Sequence, residues 1–147
     1  TRSGTELFGQ ESDWCKSIAC PVDEAAEDFL QEKSMKTERF FGMLEAEGVS
    51  VEKDAPKLVL TRDSAGYVLN VRAGRSSIEG ERFRQLFDLP SSCFFLEEQG
   101  GKMVITTKGI GHGIGLDQYY ANALAKQGAS AEEILELFFP GLLKKSE

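Results

Sequence analysis

The sequence predicts an α+β fold, an antiparallel or mixed sheet of short hairpins with peripheral helices, and three observations carry that expectation. Lys57–Arg62 and Tyr67–Ala73 alternate around Asp63-Ser-Ala-Gly66, a turn with glycine where the chain reverses. Phe94–Glu97 and Met103–Thr107 repeat the arrangement around Glu98-Gln-Gly-Gly101. Helical spacing appears on other segments, each with its own start and stop signals.

In chain order, Thr1–Gln10 is polar, Pro21-Val-Asp makes a turn, and Asp23 is placed to cap a short helix through Gln31. Thr37 is placed to cap a second helix, on which Phe40, Met43 and Leu44 share one face and Glu45 and Glu47 the other, with Gly48 to end it. That apolar stripe reads as core. After the two hairpins, Lys102–Lys108 reads as a strand and Asp117–Lys126 as a helix, with Tyr120, Ala123, Leu124 and Gln127 at helical spacing. The last helix opens on a capping box, Ser130-Ala-Glu-Glu133, buries Ile134, Leu135, Leu137 and Phe138, and stops at Pro140-Gly141. With 147 residues, 41% of them hydrophobic, and no repeat or low-complexity tract, residues 1–147 read as a single unit with one core.

Between the last strand and the Asp117 helix runs Gly109-Ile-Gly-His-Gly-Ile-Gly-Leu-Asp-Gln-Tyr-Tyr120, which sets the only histidine, His112, among four glycines at alternate positions. Glycine reaches positive φ and lacks Cβ, so such a run lets bare N–H groups crowd a ligand or another segment. A glycine-rich turn opening a helix suggests phosphate binding first. The spacing argues against it: counted from Gly109 the last place of Gly-x-Gly-x-x-Gly holds Ile114, counted from Gly111 it holds Leu116, and no Gly-Lys-Ser/Thr follows. Two readings of His112 remain, a side chain facing a ligand, or a ring that bonds a neighbouring carbonyl and pins a tight turn.

The run from Gly109 to Tyr119 resembles the signature of the stage II sporulation protein D (SpoIID/LytB) family, close to Gly-x-Gly-x-Gly-His-Gly-Val-Gly-Met-Ser-Gln-Tyr-Gly-Ala. Downstream, Ala123-Leu-Ala, Gly128-Ala-Ser-Ala-Glu-Glu-Ile-Leu and Phe138-Phe-Pro-Gly141 are similar to the closing run of that family. Upstream, Ile78-Glu-Gly-Glu-Arg-Phe-Arg-Gln-Leu-Phe-Asp-Leu89 and Ser91-Ser-Cys-Phe94 resemble its Gly-x-x-Phe-Arg segment and Ser-x-x-Phe strand, and Trp14-Cys-Lys-Ser-Ile-Ala-Cys-Pro-Val-Asp23 resembles a stretch just after its middle.

The resemblance implies part of a lytic transglycosylase acting on peptidoglycan glycan strands in the cell envelope, with no cofactor. It also implies an alternative of another class, a non-catalytic glycan-binding module that enhances a cell-wall amidase. The substrate-binding residues it implies are Arg84, Gly111, His112, Gly113, Asp117, Gln118 and Tyr119, with His112 also supporting catalysis. The family's general acid is a glutamate ahead of an Ala-rich helix ending in Ala-Arg-Thr-Tyr, and no such segment occurs here. The earliest match belongs to the middle of the family domain, so the expectation is a C-terminal portion of it, inactive alone, with the acid upstream. Asp117 stands where the family has serine. Either residue caps a helix, but aspartate adds a negative charge beside the glycines.

Bulk properties agree with a glycan partner. A formal net charge of −7 speaks against nucleic acid or an anionic membrane as a major partner. No signal peptide and no apolar run long enough for a membrane span is visible in these residues. Cys15 and Cys20 lack the further ligands of a zinc knuckle, so no metal is expected, and their spacing leaves a disulfide open in an exported protein; Cys93 reads as a small buried hydrophobe. Arg82 reads as a surface residue, and both it and Arg84 have Glu79 and Asp88 within reach as ion-pair partners.

Overall fold

The computed structural model describes residues 1–3, 5, 17–20, 29–51 and 57–141. The chain divides into two compact units, one of residues 30–111 and one of residues 1–29 with 112–147. The architecture is α+β, with two separate three-stranded antiparallel sheets and four helices among the described residues.

In the unit of residues 30–111, β1 (Leu30–Lys36), β6 (Lys102–Lys108) and β5 (Phe94–Gln99) form one sheet in the order β1-β6-β5. β2 (Leu58–Arg62), β3 (Val68–Ala73) and β4 (Ser76–Glu79) form the other. Both expected hairpins are present. At the first, the Asp63 carboxylate accepts the amides of Ala65 and Tyr67 at 3.1 and 2.9 Å while Gly66 takes φ +90°. At the second, Gly100 and Gly101 take φ +57° and +76°, the two consecutive left-handed residues of a tight hairpin turn. Helices α1 (Thr37–Ala46) and α2 (Gly80–Leu86) complete the unit. Alternation on β6 buries Met103, Ile105 and Thr107 and turns Lys102, Val104, Thr106 and Lys108 outward. The core is aromatic: Phe40 stacks on Phe87 at 4.8 Å, and Phe83 lies 4.5 Å from Phe87 and 4.6 Å from Phe94.

In the other unit, α3 (Gln118–Lys126) and α4 (Ala131–Phe138) pack together, with Tyr120 edge-on to Phe138 at 6.3 Å. The capping box of α4 forms as expected, the Glu133 amide donating to Ser130 Oγ and the Ser130 amide to the Glu133 carboxylate at 2.8 Å.

Four expectations need correction. Of the helix expected to be capped by Asp23 and run through Gln31, residues 23–28 lie outside the described residues, but Leu30 and Gln31 belong to β1, because every residue of Leu30–Lys36 pairs with β6. Thr37 is the first residue of α1 rather than its cap, since its amide is taken by the Gly101 carbonyl at 3.0 Å and its hydroxyl by Glu98. On α4, Ile134 and Phe138 are buried and Leu135 is half-buried, but Leu137 is exposed. Neither Glu79 nor Asp88 holds the arginines: Arg82 makes a two-bond fork to Glu47 at 2.8 and 2.9 Å, and Arg84 pairs with Glu81.

Candidate functional site

The glycine run starts where β6 ends, and buried serine chemistry fixes that exit. The Ser91 hydroxyl donates to the Lys108 carbonyl at 2.6 Å and accepts the Cys93 amide at 3.2 Å. The Lys108 amide donates to the Cys93 carbonyl, and the Gly111 amide to the Pro90 carbonyl at 2.9 Å, so Ser91 and Gly111 form a parallel bridge. Ser91 and Ser92 are buried. Sequence reasoning saw Ser91 only as part of the Ser-x-x-Phe likeness. Its anchoring role shows in burial, which a polar residue tolerates when its hydroxyl is satisfied.

From there the backbone alternates. Gly109, Gly111, Gly113 and Gly115 have φ +68°, +93°, +71° and +78°, all in the left-handed region that non-glycine residues avoid. At Gly109 and Gly111 a Cβ would meet nothing within 4 Å, so these two positions demand glycine for conformation and not for space. At Gly115 the space faces the Phe139 ring at 3.6 Å. The Gly113 carbonyl is held by the Arg2 amide at 2.7 Å.

His112 is exposed, and its Nδ1 accepts the Ile114 amide at 3.0 Å. An accepting Nδ1 places the proton of the neutral ring on Nε2, which is then its donor. The ring pins its own turn, through an amide and not a carbonyl, and the side chain is exposed. Asp117 caps α3 by accepting the Tyr120 amide at 2.9 Å, leaving Gln118 and Tyr119 exposed on the first turn. Of the two tyrosines, Tyr120 packs against Phe138, whereas Tyr119 is 46% exposed.

His112, Gly113, Asp117, Gln118 and Tyr119 belong to one unit, while Gly111 and Arg84 belong to the other. Arg84 Nη1 is 2.6 Å from Glu81, and its Nε is buried without a partner. Among the described residues no group of three or more histidine, cysteine, aspartate or glutamate side chains is arranged to hold a metal. Cys15 lies outside the described residues; the Cys20 thiol is 3.7 Å from the Ile18 carbonyl. Cys93 is buried, and burial pushes its thiol up against the opposing pull of Arg62 and Lys108. No described helix is long and apolar enough to cross a membrane.

An α+β chain with an exposed histidine on a left-handed glycine run defines a class that can be compared with known proteins. No family model matches the chain. It is 29% identical over 130 residues to stage II sporulation protein D of Bacillus amyloliquefaciens, covering 88% of this chain and 37% of that protein. The protein of the same name from Bacillus subtilis (strain 168) is 26% identical over 129 residues. An amidase enhancer of the same strain is 44% identical over 51 residues, 35% of this chain and 7% of that protein. The chain is thus similar to stage II sporulation protein D over most of its own length, and spans 37% of the length of those relatives.

Proposed function

We propose that the chain is part of a peptidoglycan lytic transglycosylase of the stage II sporulation protein D kind, and that the His112 loop holds a sugar beside the cleaved bond. One observation carries the reading: the run of four left-handed glycines holds an exposed histidine whose Nδ1 is occupied, which leaves Nε2–H as its donor. A directional donor, in a loop that leads into exposed Gln118 and Tyr119 on the first turn of α3, suits hydroxyl and acetamido groups. In the reaction a carboxylic acid protonates the glycosidic oxygen, the bond from the anomeric carbon of N-acetylmuramic acid to that oxygen breaks, and the sugar's 6-hydroxyl closes a 1,6-anhydro ring. The hydroxyl proton goes to the carboxylate, so no water is consumed and one acid serves as its own base.

The family's glutamate segment is absent from residues 1–147, and Asp117 is engaged in capping α3, so this reading puts the proton donor outside the chain. The reading places the working protein in the cell envelope. The test is to incubate purified peptide-free glycan strands with this chain and with a longer protein containing it, and to search for anhydro-ended fragments by mass spectrometry. Products are expected only from the longer protein. Robust products from the 147-residue chain alone would refute the placement of the acid and make Asp117 the first suspect.

The match to an amidase enhancer favours a second reading, a non-catalytic glycan-binding module partnered with a cell-wall amidase. A longer protein that lacks the glutamate and its Ala-Arg-Thr-Tyr helix, binds strands and accelerates an amidase would select it.

A further inference from the structure

The outward face of the β1-β6-β5 sheet carries an open depression of about 420 Å³ lined by Glu32, Ser34, Gln99, Lys102 and Val104. That volume falls within the range of small-molecule sites. Register places Ser34 opposite Val104 and Gln99 opposite Lys102, so residues of all three strands share this face. The same register sets Lys36 directly opposite Lys102. Like charges facing each other across a ladder destabilise it, and neither ammonium has an ion pair or hydrogen bond among the described residues. Glu32, Ser34 and Gln99 side chains also lack such partners there. In the same unit Arg82 makes a two-bond fork to Glu47 and Arg84 a single bond to Glu81. A depression that combines a carboxylate, a hydroxyl, a carboxamide and the Lys102 ammonium, with Lys36 paired opposite Lys102 on the neighbouring strand, matches a polyhydroxylated ligand bearing one acid group.

We infer that this face is a second binding site, for an acidic acetamido-sugar oligosaccharide whose carboxylate sits between Lys36 and Lys102. The choice of a sugar rests on the function proposed above. The carboxylate rests on the lysine pair, in a chain whose net charge of −7 otherwise repels anions. Glu32, Ser34 and Gln99 serve the hydroxyl and acetamido groups.

The probes are a peptide-free tetrasaccharide of alternating N-acetylglucosamine and N-acetylmuramic acid, which carries free carboxylates, and neutral chitotetraose. Amide chemical shifts on the intact chain report where each binds. The acidic tetrasaccharide is expected to shift Ser34, Lys36, Lys102 and Val104, to bind about tenfold more tightly than chitotetraose, and to weaken with salt. Lys102→Ala should cost about tenfold in affinity. Lys36→Glu creates an attractive pair with Lys102, so it should raise the melting temperature while lowering affinity, a combination that damage to the fold does not produce. Equal affinity for both probes, or unchanged binding by both variants, would overturn the proposal. Shifts confined to Gly111–Tyr119 would overturn it and leave the proposed function standing. Shifts confined to the sheet would support it and count against the loop, and no shift anywhere would overturn both.

Discussion

Replacing Gly80 by alanine tests the packing of the larger unit, because sequence and structure predict opposite signs. Gly80 is the first residue of α2, and alanine is better than glycine within a helix by up to about 1 kcal/mol, so propensity alone predicts stabilisation. In the structure a Cβ at Gly80 would lie 1.8 Å from the Val68 carbonyl oxygen and 2.6 Å from its carbon. Those atoms are backbone of β3, whose strand is paired on both sides, so no side chain is available to rotate away. The helix must lift from the sheet or the strand must bend. Overpacking of this kind costs about 1–3 kcal/mol, and more where backbone must move, so Gly80→Ala should be destabilised by roughly 2 kcal/mol or more after the propensity gain. The loss in melting temperature should be roughly 5–10 °C. Gly42→Ala is the internal control: Gly42 lies within α1 with nothing within 4 Å of a Cβ, so the same replacement should stabilise by about 0.5–1 kcal/mol. Urea denaturation followed by circular dichroism, with both variants measured beside the parent, gives the comparison. A Gly80→Ala protein as stable as the parent would show that α2 does not sit on β3 as described.

Gly111→Ala should cost about 1 kcal/mol or more from its φ of +93° alone, since a methyl there has open space; denaturant midpoints check it, and no loss would mean the loop relaxes freely. Asp117→Ala should lose about 1 kcal/mol of cap energy, while Asp117→Ser should keep most of it, because either oxygen can accept the Tyr120 amide. The Ser130 amide, then its hydroxyl, hold the Glu133 carboxyl below the usual glutamate range. That stabilisation is complete above the ordinary glutamate value near 4.3 and is lost as pH falls through the lowered folded value, so melting temperature measured against pH should fall less steeply below about pH 4 in Glu133→Gln. Finally, His112→Asn should preserve the bond from the Ile114 amide but lose the Nε2–H donor, keeping stability and losing glycan binding, whereas His112→Gln should do the reverse; thermal melts beside binding isotherms separate the two.

The parts of the fold legible in the sequence are those where one residue type answers one local demand. Asp63 and Gly66 announce the first hairpin through an amide-accepting carboxylate and a left-handed turn, Gly100-Gly101 the second, and Ser130 with Glu133 the start of α4. β1 was illegible because Leu-Gln-Glu-Lys-Ser-Met-Lys offers no alternating apolar face; five of its seven residues are exposed, and pairing with β6 makes it a strand. β4, four residues long, is too short to show a period. Gly80 and the lysine pair at Lys36 and Lys102 depend on what another strand brings opposite, which local pattern does not encode.

The glycine run was legible for a different reason, and its geometry sharpens what His112 is able to do. Alternate left-handed residues are a demand no other L-residue meets cheaply, so the spacing itself declared a special backbone. What the spacing could not declare is the direction of the ring. With Nδ1 accepting from Ile114, neutral His112 offers Nε2–H and nothing to receive a proton. Under the proposed function such a residue orients a sugar oxygen and stabilises charge on it, but it does not take the proton of the 6-hydroxyl. Proton donation and removal then both fall to a single carboxyl group, as ring closure without water requires. A histidine acting as base would instead need Nε2 free and Nδ1–H donating to a carboxylate or carbonyl, and the loop places an amide donor at that position.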